Sequence, residues 1–358
     1  MRKKWRLVIC FIVSSGTALG NSANSKEVHY PEDDKIIAEW AVIKNENLTA
    51  KQAIDLLDKA AKLNSSAIFE IHAKQTLEQL ENMGTLEPDA LFLKAKLLQR
   101  EHQFTDSKAT LTQLLEFSPN YVGAHLLMAS VLINQGNYNE AALHCQRIVG
   151  QVNYVIAMTC LFETKFEKQP SDKLYRQLLK ISRLSNLTAS DFIQWNAEVL
   201  AYMAYTLNQP LLAIKHLANI NLEFAPISLI ALWADAHMAI GDSAKVLCQL
   251  EEWIHHPENV DDAILLRLAL AEKSTRTSHK WQGLLAQRVQ HREWRDDFQH
   301  AGQLAQYYML IKPNKQKAQK FARKNWQYAK SAEDRRLLET AEKWESRGSL
   351  QTVQNKGE

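Results

Sequence analysis

The sequence predicts an all-α protein in which helix–turn–helix units are stacked on one another. Its 358 residues are 46% hydrophobic and include only 11 Gly and 8 Pro, so helix-favouring residues are abundant and helix-interrupting residues are scarce. Apolar residues recur three and four positions apart along most of the chain, which is the period of a helix with one buried face. No segment shows the alternation of apolar and polar residues that is typical of a half-buried strand.

A repeat of about 34 residues organises the segment 88–257. Small residues, replaced once by Val, occur in pairs twelve positions apart, and the pairs recur 33 or 34 residues later in neighbouring units. The pairs are Ala95 with Ser107, Ala129 with Ala141, Ala201 with Ala213, and Ala234 with Val246. A break such as Gln135-Gly136-Asn137 lies between the two members of each pair. We interpret each unit as two helices joined by a tight turn, with the small residues where the two backbones approach most closely.

This pattern resembles the tetratricopeptide repeat family. The resemblance rests on the period, the small-residue pairs, the turn sequence Gly136-Asn137-Tyr138 and Pro119 at the end of a unit. It is strongest over 122–150, followed by 88–120, and it extends with substitutions over 197–257. The resemblance implies a solenoid in which the units form a right-handed superhelix, and a concave face where the first helix of each unit binds a peptide or a partner helix.

The same resemblance implies a set of partner-binding residues on the first helices. Counted from the aligned small residues, they are Phe92, Lys96, Gln99, Leu126, Ser130, Asn134, Glu198, Tyr202, Tyr205, Asp235 and Met238. The set mixes aromatic rings with single polar groups, as protein interaction surfaces do. Chaperone-binding members of the family have a Lys where this chain has Phe92, so the resemblance does not extend to their mode of binding.

The segments on either side of 88–257 predict further helices. Residues 24–87 are interpreted as an N-terminal helical cap or degenerate repeats, and 258–348 as divergent C-terminal helical repeats. Within the latter, helices are predicted over 315–329 and 333–344, the second beginning near a cap-forming Ser331. Residues 349–358 form a polar tail.

Residues 1–23 predict a secretory signal peptide, cut near Gly20 or Ala23. A basic start precedes an apolar run over 7–17, which is too short to span a bilayer, although an uncleaved anchor is the alternative. The mature chain is therefore expected to be exported, either to a bacterial periplasm or as a secreted protein. Four of the 43 basic residues lie in this signal and no acidic residue does, so the net charge changes from +3 to −1 on cleavage. The charge thus gives no argument for a nucleic-acid partner.

Two cysteines of the predicted mature chain are spaced for a disulfide. Cys145 ends one predicted helix and Cys160 lies in the middle of the next, so antiparallel packing would bring them level. A bridge that closes a loop of about 15 residues stabilises a fold by roughly 3 kcal/mol in the entropy model. Two separate buried thiols are the alternative, because free cysteines usually lie in cores.

The sequence contains no motif typical of nucleotide binding, hydrolase nucleophiles or zinc sites, so we predict no enzyme activity and no cofactor. The densest polar cluster comprises His291, Glu293, Asp296, Asp297 and His300. Asp296 and His300 lie one helical turn apart, but Arg292 and Arg295 favour ion pairs over a metal ion, and we predict no metal. An enzyme or metal-handling protein with a site in 281–330 is the alternative function.

A basic helix is the remaining charged feature. Lys317, Lys320 and Lys324 share one face, opposite Ala318 and Phe321. Such a face is usually solvated, but it also fits an acidic partner or an anionic membrane surface. Residues 24–90 carry 13 acidic and 7 basic groups, so the array is expected to have one acidic and one basic end. We predict a non-catalytic scaffold or assembly factor that binds a protein partner, with no nucleic-acid partner and no small-molecule substrate.

Overall fold

The computed structural model describes residues 48–63, 68–84, 87–184, 190–276, 278–297 and 300–344. These ranges are helical, as the sequence predicts, and they contain no β-strand. The predicted signal peptide over 1–23 and the polar tail over 349–358 lie outside the described residues. None of the helices in the described ranges combines the length and the hydrophobicity that a membrane span needs.

Seventeen α-helices follow one another in the described part of the chain. They are α1 (Ala50–Ala60), α2 (Ile68–Asn82), α3 (Pro88–Arg100), α4 (Phe104–Phe117), α5 (Val122–Asn134), α6 (Tyr138–Arg147), α7 (Tyr154–Lys168), α8 (Asp172–Arg183), α9 (Ser190–Thr206), α10 (Pro210–Leu217), α11 (Ile227–Ala239), α12 (Ser243–Trp253), α13 (Asp262–Thr275), α14 (Lys280–Trp294), α15 (Ala301–Gln306), α16 (Lys315–Tyr328) and α17 (Ala332–Lys343). A π-helical segment, Tyr307–Ile311, extends α15.

The helices pack in series. From α1 to α14, each helix contacts the next one along the chain, and α15 to α17 do the same. The odd-numbered helices from α1 to α15 also contact each other in succession. Helix pairs are therefore stacked so that their first helices form a continuous row. We call α3, α5, α7, α9, α11 and α13 the first-helix row.

The small-residue pairs lie in the core between the paired helices. All eight side chains are at most 2% exposed. In the first unit the Ser107 hydroxyl donates a hydrogen bond to the carbonyl oxygen of Ala95 over 2.8 Å, so the side chain on α4 touches the backbone of α3. This contact confirms, for the first unit, that the small residues mark a close approach of the backbones. A larger side chain at Ala95 would separate the two helices.

The turns between paired helices share one backbone geometry. The second residue after the first helix has a positive φ in four units: 58° at His102, 77° at Gly136, 58° at Asn208 and 83° at Gly241. The next N–H bonds back to a carbonyl five residues earlier, as in Gln103 to Leu98 (2.8 Å), and the other three turns repeat this bond. This is the Schellman ending of a helix, in which the left-handed residue is usually Gly. His and Asn are among the other residues that tolerate this conformation.

A disulfide joins neighbouring units. Cys145 on α6 and Cys160 on α7 are bonded, with their Cα atoms 5.5 Å apart and both side chains buried. The bond connects the second helix of one unit to the first helix of the next. It therefore adds a covalent link to the packing and hydrogen bonds between these helices, among them the bond from the Lys168 ammonium to the Asn139 side chain.

Candidate binding cavity

A cavity of about 1320 Å³ lies along the first-helix row. Ten of the eleven residues that the resemblance implies for partner binding line it: Phe92, Lys96, Leu126, Ser130, Asn134, Glu198, Tyr202, Tyr205, Asp235 and Met238. Gln99, in the last turn of α3, is not among the lining residues. The ten residues come from four repeats, and the spacing of the small residues therefore gives a register that brings them to one face.

Aromatic rings form an apolar wall of the cavity. Phe92 packs against Tyr121 with ring centroids 5.2 Å apart, and Tyr202 meets Phe166 edge to face at 6.1 Å. Trp195 lines the cavity from the same helix as Tyr202. Rings held by other rings have little rotational freedom to lose on binding, so this wall suits a packed apolar ligand surface.

Three carboxyl groups lie beside this wall on neighbouring helices. Glu163 and Glu167 are on α7 and Glu198 is on α9. Burial raises the pKa of each of them. The pKa of Glu163 reaches about 8, because the charges of Glu167 and Glu198 add to the effect of burial while a hydrogen bond from Trp195 opposes it. Glu163 is therefore largely protonated at neutral pH.

A buried ion pair crosses from α11 to α13. Asp235 accepts two hydrogen bonds from the Arg267 guanidinium, over 3.0 Å and 2.6 Å. Burial by itself would lower the pKa of Arg267, but the charge and hydrogen bonds of Asp235 raise it overall. Glu333, from the C-terminal region, lies beside this pair. Burial raises the pKa of its carboxyl overall, although the positive charge of Arg267 opposes this effect. Water still reaches Glu333, because its side chain projects into the cavity.

The C-terminal arm, which we define as residues 329–337, borders the same cavity. It includes the turn before α17 and the first turns of that helix. The main-chain N–H of Lys330 donates to the carbonyl oxygen of Asn134 over 2.8 Å, and the Tyr138 hydroxyl donates to the carbonyl oxygen of Lys330 over 2.8 Å. The second bond joins residues 192 positions apart. The arm is thus held by its backbone against the turn between α5 and α6.

Glu167 binds the start of α17. Its carboxylate accepts a hydrogen bond from the Ala332 N–H over 2.7 Å. The first N–H groups of a helix have no partner within the helix, and the positive end of the helix dipole favours a carboxylate there. Ser331 and Asp334 form a capping box, which confirms the cap predicted at Ser331. Glu167 therefore recognises a helix start whose geometry is fixed by its own sequence.

Two arginines of the arm bond to side chains of the repeats. Arg335 donates to the Tyr138 hydroxyl over 2.9 Å, and Arg336 donates to the Thr206 hydroxyl over 3.3 Å. The arm therefore contacts α6, α7 and α9 as well as the end of α5. The expectation of one acidic and one basic end stays a prediction, because residues 24–47 of the acidic segment lie outside the described residues.

The polar cluster predicted in 281–330 is taken up by contacts within the protein. Arg292 forms an ion pair with Asp297, and Glu293 forms one with Lys317 at 2.9 Å. His300 leaves the cluster and packs its ring against that of His102, with centroids 6.4 Å apart. Among the described residues, no three His, Cys, Asp or Glu side chains are grouped as a metal site requires.

The basic helix α16 has the apolar face that its sequence predicts. Ala318 and Phe321 are both buried. On the other face, the Lys317 ammonium donates to Glu293 and, over 3.0 Å, to the Tyr308 hydroxyl. The remaining two lysines of the predicted face lie near rings of their own helix, Lys320 at 5.5 Å from the Phe321 centroid and Lys324 at 5.5 Å from that of Tyr328. The face is therefore partly engaged with the protein itself.

Sequence reasoning missed the cavity residues on α7 and α13, and it missed the arm. Glu163 and Glu167 went unassigned because the break after α7, at Gln169-Pro170, lacks the turn sequence that sets the register elsewhere. A usable signal was present, since two acids lie four positions apart, and therefore on one face, in a helix whose first half is mainly apolar. Arg267 stands in the same way within the apolar run of α13.

No family model matches the chain, and no curated protein shows significant similarity to it. The case for its function therefore rests on the cavity and the sequence pattern.

Proposed function

We propose that this chain is a non-catalytic scaffold or assembly factor with tetratricopeptide-like repeats. The repeats form a right-handed superhelix, and the first-helix row is its concave face, where a peptide or partner helix binds. The observation that carries the proposal is the convergence of ten residues from four repeats on one cavity. A cavity bounded by aromatic rings and a few fixed polar groups suits a protein segment, because rigid rings provide contact area and the polar groups set orientation.

Site-specific crosslinking in the native envelope tests this function. A photo-reactive residue is placed at Leu126 or at Met238, two cavity positions in different repeats. We expect the same protein to be crosslinked from both positions. As a matched control, the same residue at Leu143, which is 59% exposed and does not line the cavity, is expected to give no such product.

A second variant distinguishes the cavity from the rest of the surface. Replacing Tyr202 and Tyr205 together by Ser removes two rings from the cavity wall and is expected to reduce the crosslinked product at least tenfold. Products that form equally from Leu143, or that survive the double replacement unchanged, would contradict the proposed function.

We also propose that the chain acts in a bacterial periplasm, on the pattern of residues 1–23. Mass spectrometry of the protein purified from its native envelope is expected to find a mature N-terminus just after Gly20 or Ala23. A chain that retains Met1 and stays with the membrane fraction would instead support the anchor.

A further inference from the structure

The C-terminal arm contacts the repeats as a bound peptide contacts a receptor. Both main-chain hydrogen-bonding groups of Lys330 are used, one by the backbone of Asn134 and the other by Tyr138. Glu167 then receives the first free N–H of a helix, at Ala332. These are the contacts through which a groove binds an extended segment that continues into a helix.

The arm is attached through polar contacts near its own start and through apolar side chains that pack against the hydrophobic core. Ala332 is buried, whereas Glu333 and Arg336 remain exposed to water within the cavity. Arg335 and Arg336 each bond to one hydroxyl group of the repeats. Hydrogen bonds of this kind are individually weak and are readily exchanged for bonds to water or to another chain. The arm is therefore bound by contacts that a competing segment is able to reproduce.

The arm also meets residues that the repeat register assigns to partner binding. The Asn134 carbonyl accepts a hydrogen bond from the backbone N–H of Lys330, and Glu333 lies beside Asp235 and Arg267. Arm and predicted partner-binding residues line one cavity. An external segment that uses these groups in the same way excludes the arm, because each donor and acceptor is already occupied.

We propose that the arm is an internal ligand of the cavity, which a partner segment displaces. This inference rests on the proposed function and names the kind of partner that the cavity accepts. The partner is an extended residue followed by a helix start with the pattern of residues 330–336: a serine cap, an acid three residues later and two arginines directly after that acid. Free N–H groups at that helix start bind Glu167, and the arginines bind the hydroxyls of Tyr138 and Thr206.

A synthetic peptide with the sequence of residues 329–344, carrying a fluorescent label, tests the exchange on the full-length chain. In the released variant, Ala332→Pro removes the N–H that bonds to Glu167, and Arg335→Ala with Arg336→Ala removes the arginine side-chain bonds to Tyr138 and Thr206. Proline suits the first position of a helix, so α17 itself is preserved. We expect this variant to bind the peptide at least tenfold more tightly than the unaltered chain.

A locked variant holds the arm in place. A Cβ at Gly136 would lie 3.6 Å from the Lys330 Cβ, which is within the range of a disulfide. The variant Gly136→Cys with Lys330→Cys therefore closes the arm by oxidation, and His102 and Asn208 show that equivalent turns accept a residue other than Gly. We expect no peptide binding by the oxidised form and recovery of the unaltered chain's level after mild reduction.

Two controls keep the result interpretable. Arg176→Ala with Arg183→Ala removes the same charge from the exposed face of α8 and is expected to leave peptide binding unchanged. Helicity is measured for every variant, and the single replacement Ala332→Pro serves if the triple variant unfolds. Hydrogen exchange over 329–337 is expected to accelerate on release.

Three outcomes would overturn the proposal. The arm could stay protected from exchange in the released variant, which would make it a fixed part of the fold. The peptide could fail to bind a released, folded chain, or it could bind the locked and released forms equally. Any of these results leaves the crosslinking test of the proposed function intact, because a partner captured from Leu126 and Met238 would then bind beside an immobile arm.

Discussion

The regular helices α3–α6 and the C-terminal helices α14–α17 use the same local signals but make contacts of different range. The turn after α14 repeats the Schellman geometry, with φ of 55° at Asp296 and an N–H of Asp297 bonded to the Arg292 carbonyl over 3.0 Å. In the regular region, Ser107 bonds to a residue twelve positions away, whereas Ala332 bonds to a residue 165 positions away. Local sequence signals thus give similar helix pairs in both regions. Contacts between residues that are distant in the sequence determine where the C-terminal helices pack.

The difference indicates which kind of substitution should destabilise each region. In the regular region the close approach of two backbones leaves no room for larger side chains. In the C-terminal region, polar side chains and backbone groups bond to earlier repeats, and some of these side chains are exposed to water. Replacing a small residue of the first region should therefore act mainly on stability, and removing one of these polar contacts should have a smaller effect on stability.

The largest effect is expected from overpacking the regular region. Ala95→Leu places three further carbon atoms against α4 where Ser107 reaches the Ala95 carbonyl. We expect the free energy of unfolding in urea to fall by about 3 kcal/mol, because a close-packed core yields only by moving its helices apart. Ala109→Leu, on the exposed face of α4, is the control and should change it by less than about 0.5 kcal/mol. Equal effects at the two sites would mean that Ala95 has room around it.

The disulfide should have the next largest effect. Replacing Cys145 and Cys160 together by Ala opens a loop of 15 residues and is expected to lower the free energy of unfolding by about 2–3 kcal/mol. Small apolar side chains keep the site filled, so the helical content should remain unchanged. A thiol count on the unfolded, non-reduced protein checks the bond, since at least two fewer free thiols are expected than after reduction. A count that does not rise on reduction would contradict the disulfide.

A pH-dependent effect is expected at Glu163. Burial raises the pKa of its carboxyl to about 8, so the folded chain holds a proton that the unfolded chain releases above about pH 4.5. This contribution to stability is complete below pH 4.5 and is lost as the pH rises towards 8. Glu163→Gln stays neutral and should therefore be more stable than the unaltered chain at pH 8, by roughly 2 kcal/mol after allowance for water in the cavity, with no difference at pH 4.5.

Urea unfolding at pH 4.5, 6 and 8 measures this difference. Glu116→Gln, at an exposed position on α4, is the matched control and should follow the unaltered chain at every pH. If the advantage of Glu163→Gln did not grow with pH, the carboxyl would have to be ionised and solvated in the folded chain.

The smallest effect is expected on the basic helix of the C-terminal region. Lys317→Met removes the pair with Glu293, in which the two side chains are 44% and 26% exposed. We expect a loss of less than about 1 kcal/mol, because water screens partly exposed ion pairs. The loss should shrink further in high salt, and Lys315→Met, which changes an exposed lysine of the same helix, should have no measurable effect. A loss of several kcal/mol would show that this region is as tightly constrained as the regular one.

Individual residues show how much of the fold and of the cavity the sequence predicts. The pairing of Ala95 with Ser107, the turn at Gly136 and the cap at Ser331 were all predictable, because each depends on residues within about a dozen positions. The same register indicated ten residues that line the cavity. The register did not indicate Glu163 and Glu167. It is counted from the small residues and the turn sequence of each unit, and the turn after α7 lacks that sequence.

The sequence by itself determined that this chain is helical, where the helices of the four units with small-residue pairs pack together, and which side of α3, α5, α9 and α11 lines the cavity. These properties follow from apolar periodicity and from the volume of side chains at close contacts, which are local quantities. Only the tertiary structure decided that the arm lies against α5 and α6. Its anchoring bond joins the backbone N–H of Lys330 to the backbone carbonyl of Asn134. Backbone groups are nearly the same in every residue. No pattern of side chains therefore predicts which two of them will form a hydrogen bond when almost two hundred residues lie between them.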